Sequence, residues 1–265
     1  QCSTKWAELE RRANIPSMPL YQIDLTQANI DYVNLDKIAF VGGEPLFDPK
    51  TFEILEKLAE HKNFDISVSF VTNGGNMISQ PHLELIKKFK TVGFTVSIDG
   101  VEAEFEYMRW PGRWDRLQDN IKQYQQIGEV NVSYTVSSIN AWYYDKTMSW
   151  FEQQGLEVTN LIFVTWPEWC SLTCMPVALK KVLAGHNNTI SSAVGQETGS
   201  ELSVNELIEK ITQQDLVRGT DIRTAMPEFW ELWDKHFKDR PKHPHRKQLE
   251  SRLAYRLQEI ADGGL

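Results

Sequence analysis

The stretch "FVGGEPLFDP" (40–49) puts two glycines and a carboxylate where an apolar run stops. Gly42 and Gly43 free the backbone for a corner that other residues resist. Glu44, at the end of that corner, is an anion able to accept from an ammonium group or from N–H donors at charge-assisted strength. Further on, "SFVTNGG" (69–75) closes with Thr72 and Asn73, "SIDG" (97–100) with Ser97 and Asp99, and "TVSSIN" (135–140) with Ser137 and Asn140. Each cluster could be no more than a turn, because Asn, Asp and Gly favour turns for backbone reasons. Their recurrence at the ends of successive apolar runs points instead to one ligand-facing edge of an α/β fold.

The elements that must position these residues follow from the pattern around them. Runs rich in β-branched and aromatic residues at 37–43, 66–75, 94–100, 130–140 and 158–166 read as strands. Between them lie helical spacings such as Phe52, Leu55, Leu58 and Ala59, then Leu83, Ile86 and Phe89, then Trp114, Leu117, Ile121 and Tyr124. Asp48 is placed to cap the first helix, Pro49 to open it, and Phe47 to staple onto Phe52. Alternating strand and helix predicts a parallel sheet with right-handed crossovers, either doubly wound or a barrel. From residue 185 the chain turns polar, and 185–203 reads as a linker. Helices around 204–214, 227–238 and 246–261 come next, so residues 1–184 form the α/β part and 185–265 a helical extension packing on it.

A 265-residue chain with 41% apolar residues can fill one large core. The net charge of −8, with a single short basic run at 238–247, disfavours nucleic acid as a partner. No apolar run is long enough for a membrane span, and the first residues lack the apolar stretch of a signal peptide, so the reading is a cytoplasmic protein with no membrane partner. The three cysteines, Cys2, Cys170 and Cys174, are an odd and widely spaced set that argues against a disulfide scaffold.

Taken in order, "GGEPLFDP", "TNG", "SIDG", "RWPGRWDRLQDNI" and "TVSSIN" resemble the radical S-adenosylmethionine enzymes over about residues 37–166. The resemblance implies an α/β fold, a partial TIM-like (β/α)6 barrel whose first strand is missing from this sequence, with a helical C-terminal extension. It also implies S-adenosyl-L-methionine as cofactor, its amino group received by the Gly42-Gly43 backbone and Glu44. Thr72 and Asn73 would face cofactor or substrate, Ser97 the cofactor carboxylate, Asp99 its ribose, and Ser137 and Asn140 the adenine and ribose. Arg109 could meet a substrate anion, pair with a strand-end acid or form a surface salt bridge. The implied activity is generation of a 5'-deoxyadenosyl radical that takes hydrogen from an unidentified small-molecule or peptide substrate. Its electron would come from a protein such as flavodoxin or ferredoxin.

One departure is large. The C-x3-C-x2-C motif whose three thiolates hold a [4Fe-4S] cluster does not occur in these 265 residues. The sequence as it stands is therefore expected to be inactive in reductive cleavage, and a longer native chain would carry the motif shortly before Cys2. No metal ligand is assigned. Cys170 and Cys174, spaced C-x3-C, read as small apolar side chains in a Trp-rich segment, or as half of an auxiliary cluster site. The alternative function is a noncatalytic domain of the same fold that binds a small molecule or peptide.

Overall fold

The computed structural model describes residues 30–185, 187–194 and 201–236. Five strands, β1 (Lys37–Phe40), β2 (Ser67–Thr72), β3 (Thr91–Ser97), β4 (Glu129–Val136) and β5 (Glu157–Phe163), form one sheet in the order β1-β2-β3-β4-β5. All are parallel, and the connections carry helices α1 (Pro49–Glu60), α2 (Gln80–Ile86), α3 (Glu102–Met108), α4 (Trp114–Gln125) and α5 (Tyr144–Gln153). This is the strand and helix order of a partial TIM-like (β/α) barrel. Five more helices follow in sequence: α6 (Val177–Ala184), α7 (Asn188–Val194), α8 (Glu201–Arg218), α9 (Ile222–Ala225) and α10 (Pro227–His236). Among the described residues no helix is long and apolar enough to cross a membrane.

The residues divide into two compact units. Of the described residues, one comprises 30–98, Gly112–Ser133 and Gly155–Asn160, the other Asp99–Pro111, Tyr134–Gln154 and those from Leu161 onward. The core of the first is set by strand register. Phe40 pairs with Phe70, Phe70 with Phe94 and Phe94 with Val130, so one row of the sheet carries aromatic rings across three strands. Their centroids lie 5.4 and 5.2 Å apart, and Tyr124 of α4 stacks on Phe94 at 4.7 Å. Such stacked pairs add to the area that each ring removes from water.

The alternate face of the same strands differs in chemistry. Ser69 pairs with Gly93, Thr95 with Asn131, and Ser97 with Ser133, and all are half-buried. Parallel strands packed on both faces are usually continuous apolar runs. On β3 and β4 buried apolar positions alternate with half-buried or exposed positions that are mostly small and polar, which gives that face a polar lining.

Several expected boundaries move. All five strands stop three or four residues short of the expected ends, and after the first four the Gly, Asn, Asp and Ser residues there form the corners rather than extend the ladder. Strand β3 starts three residues earlier than expected, at Thr91, despite Gly93 in its interior. Asp48 caps α1 by accepting from Lys50 N–H at 3.0 Å, with Pro49 opening the helix. The staple does not form: Phe47 is 77% exposed, and Phe52 stacks on His82 instead. Residues 188–194, read as linker, form α7, which buries Ile190 and Val194. The helix expected around 246–261 lies outside the described residues, as does Cys2.

Two glycines make the packing testable. A Cβ at Gly128 would lie 2.3 Å from the Val92 carbonyl oxygen, a backbone atom of a central strand that cannot step aside, whereas a Cβ at Gly93 would meet nothing within 4 Å. Gly128→Ala is expected to cost at least about 1–3 kcal/mol in urea unfolding, as overpacking does. Gly93→Ala is expected to be neutral or stabilising by about 0.5–1 kcal/mol, the amount by which glycine weakens a strand.

Candidate functional site

After β1 the backbone turns through Gly42 and Gly43, at φ +83° and +53°. These left-handed values cost a side-chain-bearing residue about 1–2 kcal/mol each, which accounts for the pair of glycines. No atom lies within 4 Å of the Cβ position at either one, so open space rather than packing borders the corner.

That corner delivers Glu44 to the end of the neighbouring strand. Its Oε1 accepts the Thr72 hydroxyl at 2.6 Å and Leu46 N–H at 3.3 Å, and its Oε2 accepts Asn73 N–H at 2.8 Å. Thr72 in turn accepts Gly74 N–H at 3.0 Å, and Asn73 Oδ1 accepts Gly75 N–H at 2.7 Å. An ionised carboxylate has about four acceptor positions. Three are used here, which leaves one acceptor position on Oε2. Tyr124 is near enough to feel this charge: burial first, and then the Glu44 carboxylate, raise its phenol well above the usual range, so it stays a donor and gives its proton to the Asn76 carbonyl. Ser97, at the end of β3, sits in the ladder opposite Ser133 and is half-buried.

In the second unit a different group assembles. Asn140 is fully buried and its amide is saturated: Oδ1 accepts Ser137 N–H at 2.6 Å and the Ser137 hydroxyl at 2.9 Å, while Nδ2 donates to the carbonyls of Asp99 and Thr135, both at 2.8 Å. The Asp99 carboxylate meets Arg109 Nε at 2.8 Å, an ionic contact between two side chains that are mostly shielded from solvent, and its other oxygen accepts Thr135 N–H at 3.3 Å. Arg109 therefore pairs with the strand-end acid, one of the three partners open to it. The segment carrying it is held by α8, where Arg218 donates to the Tyr107 carbonyl at 3.3 Å and lies over the Trp110 ring at 5.8 Å.

Cys170 and Cys174 end two short 3-10 turns, Glu168–Cys170 and Leu172–Cys174. Burial, and then the neighbouring Cys174, push the Cys170 thiol up to about 12; burial, and then Glu168, push Cys174 up to about 11. Cys174 behaves as a protonated donor toward the carbonyls of Ser171 at 3.0 Å and Trp169 at 3.3 Å. Metal ligation needs thiolate. Among the described residues no group of three His, Cys, Asp or Glu side chains is placed to hold a metal ion. Among the described residues the cysteine pair thus lacks the third ligand that a cluster needs, and Glu44 keeps one acceptor position of the kind an ammonium group fills.

The Radical SAM superfamily profile matches residues 2–150, more than half of the chain. No curated protein matches. Among solved structures, anSMEcpe with bound AdoMet and the Cp18Cys peptide is 18% identical at a TM-score of 0.43, the match covering 74% of this chain and 50% of that one. SuiB from Streptococcus suis, bound to S-adenosylmethionine, is 15% identical at a TM-score of 0.38, covering 65% of this chain and 40% of that one. The match thus spans half or less of the length of these two solved structures.

Asn73 was legible as a polar strand end. Its contribution to the Glu44 carboxylate, however, is its backbone N–H, which no residue type announces. Missed altogether was Asn120, a buried amide on the apolar side of α4 that donates to the Gly74 carbonyl at 2.7 Å. The signal was present as an Asn at helical spacing between Leu117 and Ile121. The raised thiols give the test of the cysteine pair. At pH 8, alkylation of Cys170 by iodoacetamide, followed by peptide mass spectrometry, is expected to run about a thousandfold slower than that of a free cysteine of pKa near 8.5 and to accelerate as pH rises. A rate near that of free cysteine would mean a ligand-competent thiolate.

Proposed function

Because this chain belongs to the Radical SAM superfamily, we propose that its described residues bind S-adenosyl-L-methionine, with the ligand's amino group at Glu44 Oε2 and the Gly42-Gly43 backbone beside it. The observation that carries the reading is the Glu44 carboxylate: three donors fix it in place, one acceptor position remains, and the space beside the two left-handed glycines is open. Ser97 and the Asn73 side chain are proposed as further contacts. Asp99, Ser137 and Asn140 contribute by shaping backbone, since their polar side-chain atoms already serve one another and their neighbours. When bound, the cofactor supplies an activated sulfonium bonded to a 5'-adenosyl carbon. What the residues of this chain do is orient the amino-acid end of that molecule by one charge-assisted hydrogen bond.

A 5'-deoxyadenosyl radical requires an electron from a cluster held by three thiolates, and the described residues fit no such cluster. No radical step is therefore assigned to them. The reading they support best is a ligand-binding domain of radical SAM fold, its partner a small molecule or peptide. A flavodoxin or ferredoxin would be a partner only of a form that also holds the cluster.

Isothermal titration of the 265-residue chain with S-adenosylmethionine at pH 7 is the direct test. Saturable one-site binding is expected, and Glu44→Gln, which removes the charge and keeps the shape, is expected to weaken it about 10- to 100-fold, as loss of a hydrogen bond to a charged group does. Thermal unfolding of the variant shows whether the fold persists. Unchanged affinity in a folded variant would remove Glu44 from the site. In parallel, anaerobic reconstitution is expected to fall short of the four irons and four sulfides of a cubane. Full stoichiometry with reductant-dependent release of 5'-deoxyadenosine would reinstate the radical enzyme.

A further inference from the structure

Resting on the reading of Glu44 as the amine site, the structure assigns a second role in it: we infer that Asn120 is a positioning residue that sets the geometry of the Glu44 carboxylate through the Gly74 peptide. Asn120 is 3% exposed and occupies the inward stripe of α4 with Leu117, Ile121 and Tyr124. An amide in an apolar stripe costs stability unless it is hydrogen-bonded. Its Nδ2 donates to the Gly74 carbonyl across 46 positions of sequence at 2.7 Å.

The Gly74 peptide leads directly to the carboxylate. Gly74 N–H donates to Thr72 Oγ1 at 3.0 Å, filling one of that hydroxyl's two acceptor positions, while its single proton goes to Glu44 Oε1, 2.6 Å away. The preceding N–H, of Asn73, holds the other carboxylate oxygen at 2.8 Å. Asn120 thus grips the one residue whose displacement would disturb both donors. The residue must be glycine: its φ is +71°, and a Cβ would stand 2.4 Å from Leu117 Cδ1 and 2.9 Å from Val96 Cγ1.

The rest of α4 holds the remainder of the same loop. Gln123 donates to the Ile78 carbonyl at 3.0 Å and accepts Ile78 N–H at 2.8 Å, and the Tyr124 hydroxyl donates to the Asn76 carbonyl. Three side chains therefore replace the strand partner that residues 74–78 lack. Tyr124 also reaches the Thr72 hydroxyl, whereas Asn120 acts on the Glu44 network through Gly74 alone.

The test separates positioning from simple support of the fold by comparing two ligands. S-adenosylmethionine carries the amine that Glu44 would hold; 5'-methylthioadenosine presents the adenosine end without it. For Asn120→Ala, the affinity for S-adenosylmethionine is expected to fall ~5- to 30-fold while that for 5'-methylthioadenosine changes by less than ~2-fold, the size of a lost buried hydrogen bond. Asn120→Leu roughly keeps the volume and removes the donor without burying a charge, so it gives the same selective loss and serves if the alanine form does not fold. In a Glu44→Gln background Asn120→Ala is expected to add less than ~2-fold, since the effect passes through that carboxylate. Equal losses for both ligands, or full additivity with Glu44→Gln, would overturn the positioning role. Failure of the unsubstituted chain to bind S-adenosylmethionine would overturn the reading of the site itself, and this inference with it.

Discussion

A carboxylate fastened by donors from the next strand is the constraint on which the first unit's strand ends depend. Glu44 accepts from Leu46 within its own corner and from Thr72 and Asn73 at the end of β2, so one side chain ties two strand termini together. Hydrogen bonds to an ionised acceptor contribute about 1.5–3 kcal/mol each and are directional. To reach across, the chain must double back after Phe40, which two successive left-handed residues allow. For the donors to meet it, the β2 end must turn sharply at Gly74, whose carbonyl the Asn120 amide of α4 holds and where Leu117 of the same helix leaves no room for a side chain. The glycines, the acid and the buried amide are thus parts of one device.

The second unit solves a similar problem with neutral groups. Asn140 uses both ends of its amide to join the Asp99 and Thr135 carbonyls to the Ser137 N–H and hydroxyl. An amide saturated in this way is stable in a dry site because no polar atom is left over. The Asp99–Arg109 pair adds a shielded ionic contact, and the chain around Arg109 is anchored by Arg218 from α8. In both units polar strand ends act first as fasteners of backbone, and what they present to a ligand is the capacity left over. At Glu44 that remainder is one acceptor position on Oε2.

Much of this was legible in the sequence. Strand and helix alternation was readable because apolar residues recur at period two and then at helical spacing, and the Asp48 cap because Asp-Pro before an apolar stripe has few other uses. The strand ends were not, since Gly42, Asn73 and Ser137 suit a ladder's last residues and a turn equally well. Phe47 failed as a staple because the corner that precedes it leaves it facing solvent. Helix α7 was invisible for want of length: two apolar residues, Ile190 and Val194, in a Ser- and Asn-rich segment do not make a period. The Glu44 motif was legible as chemistry, whereas Asn120 and Gln123 were not, because their partners are backbone atoms some 45 positions away, and backbone atoms leave no trace in residue type.

Ligand recognition and electron transfer place opposite demands on a site, and the two are separable in this chain. Holding an ammonium group needs one fixed anion and open backbone, and the Glu44 corner is built from a carboxylate, two glycines and N–H groups of the main chain. Holding an iron-sulfur cluster needs several sulfurs within reach of the same irons and held as thiolates, which the irons' own charge promotes. At Cys170 and Cys174 the surroundings act the other way: burial and the charge of Glu168 or of the neighbouring sulfur favour the protonated form, and the Cys174 proton is already engaged with carbonyl oxygens. Lys180 offsets this at Cys174 without reversing it. A cluster at that pair would lack a third thiolate among the described residues, while an amine at Glu44 would meet a carboxylate already fixed by three donors.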